Sequence, residues 1–139
     1  MQEGEGVESY LATLPQFALA FVASLAALAV AIAIYVAITP IREFAQIEAG
    51  NAAAAISLAG ALFGLVLPIG SAIVHSRDLI DLLVWSLVAL VAQLIVYAVL
   101  CACWHGVARR VAEGSHAHAI ALGAIAIAVG VLNAACLTT

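Results

Sequence analysis

Lysine is absent from this chain, and arginine occurs only four times against eight acidic residues, for a formal net charge of −4. A basic surface for nucleic-acid phosphates is therefore excluded, and no nucleic-acid partner is expected. Cysteine is scarce as well, with Cys101, Cys103 and Cys136 alone. The first two fall near one end of an apolar run and the third near the far end of another. A disulfide between them within one subunit would have to cross the bilayer, so small apolar fillers are the expected role, with acylation of Cys101 or Cys103 as the alternative. Above all, no Asp, Glu, Lys or Arg lies at the core of any long apolar run. Coupled carriers keep such a group near the membrane midplane, so coupled transport has little support.

What is present is hydrophobic: 67% of the residues, with a mean hydropathy of +1.23. The apolar runs extend over about Pro15 to Ile38, Ala52 to Val74, Leu79 to Trp104 and Ala117 to Leu137. Each exceeds the roughly 20 residues a helix needs to cross about 30 Å of hydrocarbon. The chain is thus expected to be an all-α membrane protein with four transmembrane helices in a single domain, residues 1–139, whose solvent is the lipid bilayer. The segment Met1 to Leu14 carries Glu3, Glu5 and Glu8 and no basic residue, unlike a secretory leader, so the first run is expected to be a retained helix. Arg42 lies in the first gap, Arg109 and Arg110 in the third, and Arg77 alone in the second. Three against one places the first and third gaps in the cytoplasm and both termini outside.

Setting residue n against residue n+66 lays the second run on the fourth. Ala53, Ser57, Gly60 and Gly64 then fall on Ala119, Gly123, Ala126 and Gly130, and the spacing puts each set on one helical face. Such strips let backbones approach closely, and Gly60 with Gly64 forms a GxxxG. The reading is a tandem parallel repeat of two helical hairpins, about residues 15–74 and 79–137. Chance is the competing explanation, since alanine- and glycine-rich helices match at many offsets. The first and third runs agree less, with Ala27 against Gln93 and Ala31 against Tyr97.

The polar residues inside the runs are few. Gln93 sits near the centre of the third, where an unpaired amide would cost several kcal/mol, so it is expected to face protein or water. Ser86, Tyr97 and Trp104 share its face. Asn133 extends the small strip of the fourth run beyond Gly130. Pro68 frees the carbonyl of Gly64, and an Asn133 amide is one donor that would answer it; Ser71 or water is the other. Asp78 and Asp81 are placed to cap the third helix. His105, His116 and His118 gather with Glu113 in the third gap, but their spacing matches no ligand motif, so no metal site is expected.

The stretch Ile38-Thr39-Pro40, then Asn51, Gly60, Gly64 and Pro68, the AQLIVYA around Gln93, and the closing VLNAAC with Asn133 and Cys136 resemble the YjfL-like family of bacterial inner-membrane proteins, known as domain of unknown function 350. The resemblance runs from about Ile38 to the C-terminus. It implies a small four-helix protein of the bacterial cytoplasmic membrane built from two-helix repeats, and it brings no substrate, reaction or cofactor. From the residues themselves an enzyme is not expected, since no acid, base, nucleophile or metal set stands out. The expected role is that of an oligomeric structural or interaction subunit, with a soluble or peripheral partner at the cytoplasmic loops. The alternative is a small pore or passive transporter lined by Gln93, Asn133 and the Pro68 kink. Asn51, Ser57, Gly60, Gly64, Pro68, Gln93, Gly123, Gly130 and Asn133 are the candidate packing or path-lining residues.

Overall fold

The computed structural model describes residues 2–138, with side chains from residue 6 onward; the side chains of Glu3 and Glu5 in the acidic segment, and Thr139, lie outside the described residues. Six helices follow one another: α1 Gln2–Ile38, α2 Glu43–Glu48, α3 Ala52–His75, α4 Leu79–Cys103, α5 Val107–Ala112 and α6 His116–Cys136. Four of them, α1, α3, α4 and α6, are long and apolar enough to cross a membrane. Their outward faces carry Phe63, Leu83, Ile95, Val99, Ile120 and Leu132, all exposed, as suits a protein whose exterior meets lipid.

Two features depart from the sequence reading. The segment before Pro15 is not a separate tail, because α1 starts at Gln2 and carries Pro15 inside it. At 37 residues α1 is about 55 Å long, well beyond the hydrocarbon thickness. The carbonyl freed by Pro15 belongs to Leu11, on an exposed stretch. Secondly, the first and third gaps are not plain loops. Each holds a six-residue helix, α2 or α5.

These two connectors share one construction. Arg42 (φ 54°) and Gly106 (φ 79°) lead into them, and Gly50 (φ 87°) and Gly114 (φ 95°) lead out, all in the left-handed region. Glycine adopts it freely; Arg42, the one non-glycine with positive φ among the described residues, does so at roughly 1–2 kcal/mol. The correspondences fall 64 residues apart, as do the starts of α3 and α6. That is two fewer than the offset of 66 that aligns the small residues, so α3 and α6 begin alike but carry their glycines at different heights.

At the centre α3 and α6 form the closest pair. A β-carbon on Gly60 would overlap the Gly123 backbone, and one on Gly130 would overlap the Gly64 backbone. The small strips are therefore used inside one chain, where backbones touch along α3 and α6. They are not left over as a surface for other subunits. Helix α4 packs against α3 and α6, while α1 lies outside and touches α3 and α4. Apolar residues close the bundle in two clusters. Ile41, Ala53, Ala54, Val107, Val111, Ala119 and Leu122 fill the connector end. Ala31, Tyr35, Ala61, Leu65 and Leu90 fill the middle.

The opposite end is made by the short link between α3 and α4. Asp78 Oδ1 accepts from the Asp81 N–H at 2.8 Å, and Asp81 Oδ2 accepts from the Arg77 N–H at 3.2 Å. Asp78 thus answers one of the free amides at the start of α4, the capping role expected of it, while Asp81 ties the chain just before the cap.

Candidate functional site

Gln93 is almost wholly buried, at 3% exposure, on the inward face of α4. Its Nε2 donates to the carbonyl of Ala126 on α6 at 3.1 Å. The amide also fills the place where a Gly64 side chain would stand, so the missing β-carbon in α3 makes room for the polar bridge between α4 and α6. On the connector side of this bridge lies a cavity of about 20 Å³ lined by Tyr35, Ser57, Gln93, Tyr97, Leu122 and Ala126, among others. That exceeds the roughly 10–15 Å³ one water needs. It is far too small for a solute.

Tyr97 adds an unanswered donor. Its hydroxyl is buried and makes no hydrogen bond of ordinary geometry among the described residues, the Cys101 thiol being its nearest polar neighbour. A buried unpaired hydroxyl costs on the order of 1–3 kcal/mol, which a guest in the cavity would relieve. The Tyr97 ring meets that of Tyr35 on α1 edge to face, with centroids 5.8 Å apart.

Below the tyrosines, at the connector end, is an acid that the sequence reading passed over. Glu43 opens α2 with no exposed surface, and both its carboxyl oxygens accept from the Thr39 hydroxyl, at 2.9 and 3.2 Å. Burial pushes the carboxyl above the usual Glu range; hydrogen bonds from its own amide and from Thr39 offset this in part. Among the described residues the single ion pair is Arg109–Glu113, at 3.5 Å on the surface, so no cation neutralises Glu43. The signal in the sequence is the four-residue spacing of Thr39 and Glu43, which puts hydroxyl and carboxyl within reach across the turn between α1 and α2. It was missed because Glu43 lies in a gap, where charges are ordinarily solvated.

The candidate residues named from sequence separate into distinct places. Ser57 and Gln93 line the cavity. Gly60, Gly64, Gly123 and Gly130 make the α3–α6 contact. Asn51 sits at the connectors: its Oδ1 accepts from the amides of Ala53 and Ala54 at 3.0 and 3.3 Å and so caps α3. Its Nδ2 donates to the carbonyls of Val111 and Ala112 at 3.0 and 3.1 Å and to Gln46 Oε1 at 3.2 Å, clasping α2, α3 and α5. Asn133 is half-buried seven residues beyond Ala126, about 10 Å further along α6, and does not reach the cavity.

Pro68 is buried in α3. The Gly64 carbonyl it frees faces the backbone of Gly130 and takes no hydrogen bond from Asn133. The polar tie near this depth is instead Ser71 Oγ to the Ala134 carbonyl at 3.0 Å. In the second connector His118 Nδ1 lies 2.6 Å from Ser115 Oγ, with its ring against Trp104.

Comparison with known proteins places this arrangement. The sequence matches the family described as Domain of Unknown Function (DUF350) over residues 9–137, which takes in α1 as well as the stretch from Ile38 onward. The chain is 34% identical over 105 residues to the UPF0719 inner membrane protein YjfL of Escherichia coli strain K12, covering 76% of this chain and 80% of that protein. The protein of the same name in Escherichia coli O157:H7 matches to the same extent. No solved structure matches. The chain therefore belongs to the DUF350 family of membrane proteins.

Proposed function

We propose that this protein is a small oligomeric subunit of the bacterial inner membrane that acts by assembly, as a structural or interaction component, and not by catalysis. One observation carries the reading: α1 and α4 enclose a lipid-facing groove of about 260 Å³, with Ala26, Ala27, Ala31 and Ser86 along its floor and Val30, Ile34, Leu83, Leu87 and Leu90 around them. Small side chains on a membrane-exposed groove admit close approach by a neighbouring helix, and the glycine strips are already occupied within the chain. The location follows the name of the relative, an inner membrane protein. The positive-inside rule favours both termini outside and the connector end, with Arg42, Arg109 and Arg110, in the cytoplasm, where a soluble or peripheral partner would meet the connectors. The like-built connectors support a repeat of two hairpins, although the glycines follow a different offset.

The test is the mass of the full chain in nanodiscs, together with disulfide trapping from a cysteine at Val30 in a background without native cysteines. The expected result is an oligomer that traps through Val30 and dissociates in Ala27→Trp, with the melting temperature of the monomer unchanged. A monomeric parent protein overturns the reading. Labelling of cysteines at Glu48 and Arg77 with an impermeant reagent checks the orientation, with Arg77 reactive from outside and Glu48 protected.

A second reading, a pore or passive transporter lined by Gln93, Asn133 and the Pro68 kink, draws on the polar cavity at Gln93. Its size favours a closed bundle over a solute path. Flux in liposomes that disappears in Gln93→Leu while assembly persists would establish the pore instead.

A further inference from the structure

Two groups of buried polar side chains neighbour one another at the connector end. Glu43 lies under the bundle with Thr39 as its side-chain partner. Thr39 stands one turn after Tyr35, its N–H donating to the Tyr35 carbonyl at 2.9 Å, and Tyr35 and Tyr97 line the 20 Å³ cavity that also meets Ser57 and Gln93. The Tyr97 hydroxyl is buried and makes no hydrogen bond of ordinary geometry among the described residues. Beyond Gln93 the interior is closed by Ala61, Leu65, Ala89 and Leu90, so the set is sealed towards the opposite end.

We propose that this set is a one-sided proton-binding site: Glu43 takes up and releases a proton from the connector side, and a single water in the cavity, held by Tyr97, Ser57 and Gln93, extends its hydrogen-bond network into the bundle. On release, the carboxyl O–H bond breaks and the proton passes to water on the connector side, leaving the carboxylate held by Thr39. On uptake the same bond re-forms. Hydroxyls of tyrosine and serine and the bound water can each donate and accept, which a network of this kind needs. No proton crosses the bundle, because the chain of polar groups ends at the Gln93–Ala126 bridge.

The groups facing Glu43 from the neighbouring elements are consistent with a neutral resting acid. Tyr35 comes from α1, and Tyr97 and Cys101 from α4. The buried residues of α5 are Val107 and Val111, and its Arg109 and Arg110 point outward. On the cavity wall α3 contributes Ser57 and α6 contributes Leu122, neither of them charged. Arg42, next in sequence, is exposed. None supplies a counter-charge. Burial accordingly holds the proton on Glu43 above the ordinary carboxyl range.

This site is independent of the oligomer proposed above. Its test is infrared spectroscopy of the full chain in nanodiscs, following the carbonyl stretch of protonated carboxyl groups across a pH titration. The parent protein is expected to show a protonated carboxyl that persists to higher pH than the exposed acids and vanishes in Glu43→Gln, a near-isosteric change. Thr39→Val and Tyr97→Phe each remove a donor from the network of the ionised form and are expected to raise the titration midpoint, by on the order of tenfold in proton affinity. Helical content and melting of every variant are measured alongside. Should Glu43→Gln fail to fold, Thr39→Val and Tyr97→Phe still report on the same band. A parent protein whose carboxyl band titrates entirely with the exposed acids, unchanged in Glu43→Gln, overturns the site. A band that Tyr97→Phe leaves unmoved overturns the water link.

Discussion

The side-chain amide of Gln93 occupies the space that a β-carbon on Gly64 would fill. One glycine thus serves two contacts: it lets α6 approach through Gly130 and it admits the amide that bridges α4 to the Ala126 carbonyl. Any side chain at position 64 must displace either a hydrogen-bonded amide or the α6 backbone. The consequence is an ordered series of glycine substitutions.

In that series Gly60→Ala and Gly64→Ala are expected to destabilise the bundle by about 1–3 kcal/mol through overpacking. Gly130→Ala belongs with them, because its β-carbon would press on the Gly64 backbone. Gly123→Ala is expected to be nearly neutral, since a β-carbon there meets Ile56 O at 3.4 Å and the Gly60 α-carbon at 3.5 Å, ordinary contact distances. Thermal melts in detergent, with the lipid-facing Leu83→Ala as reference, read the order directly. Equal melting temperatures for Gly60→Ala and Gly123→Ala would show that the α3–α6 contact is looser than described.

Gln93→Leu keeps roughly the same volume and deletes the bridge. The Ala126 carbonyl then loses its side-chain donor, and the expected cost is about 0.6–2 kcal/mol, the range of interhelical hydrogen bonds in membranes. The double variant Gly64→Ala/Gln93→Leu checks the coupling. Because the two residues compete for one space, its loss should differ from the sum of the single losses by at least about 0.5 kcal/mol. Additive losses would separate the glycine from the amide.

Much of this was legible in the chain because lipid imposes a simple rule: four stretches of about 20 apolar residues are four helices. That α3 and α6 each carry a close-packing face was legible for a similar reason, since glycines and alanines at helical spacing serve little else in a membrane. Whether such a face meets its own chain or another copy depends on connector geometry, which periodicity does not encode. The connectors themselves were illegible. Six-residue helices such as α2 and α5 are too short for a periodic signal, and they depend on left-handed residues at each end, one of which is Arg42. The buried state of Glu43 follows from how α2 folds under the bundle, so it could not be seen while the first gap read as solvated loop. Tyr97 was visible as a neighbour of Gln93 on α4. Its pairing with Tyr35 required knowing that α1 lies against α4.

Glu43 gives stability a pH dependence whose sign can be worked out. Its pKa is raised in the folded protein, whereas in the unfolded chain it is about 4.3. The folded state therefore binds the proton more tightly, and its contribution to stability is fully present below the unfolded value. It is lost progressively as pH rises through the folded value. The difference in melting temperature between the parent and Glu43→Gln, measured from about pH 4 to pH 8, is expected to move against the parent as pH rises. The comparison cancels Asp78, Asp81 and the surface acids common to both proteins. A flat difference would mean that Glu43 carries the same charge in both states.

Asn51 joins three elements through one side chain, so its loss should exceed that of an ordinary helix cap. Asn51→Ala removes the cap on Ala53 and Ala54, for which about 0.5–2 kcal/mol is usual. It also removes the donors to Val111 and Ala112, which hold α5 against the start of α3. Asn51→Asp separates the two contributions, because the carboxylate keeps the acceptor for the cap and loses both N–H donors. The aspartate is thus expected to restore α3 while leaving α5 loose. Hydrogen exchange reads this as slow amides at Ala53 and Ala54 beside faster exchange in residues 107–112, whereas the alanine variant loses protection in both. If the aspartate protects both segments as well as asparagine does, the Nδ2 contacts contribute nothing and the connectors are held by the Ile41, Val107 and Val111 packing alone.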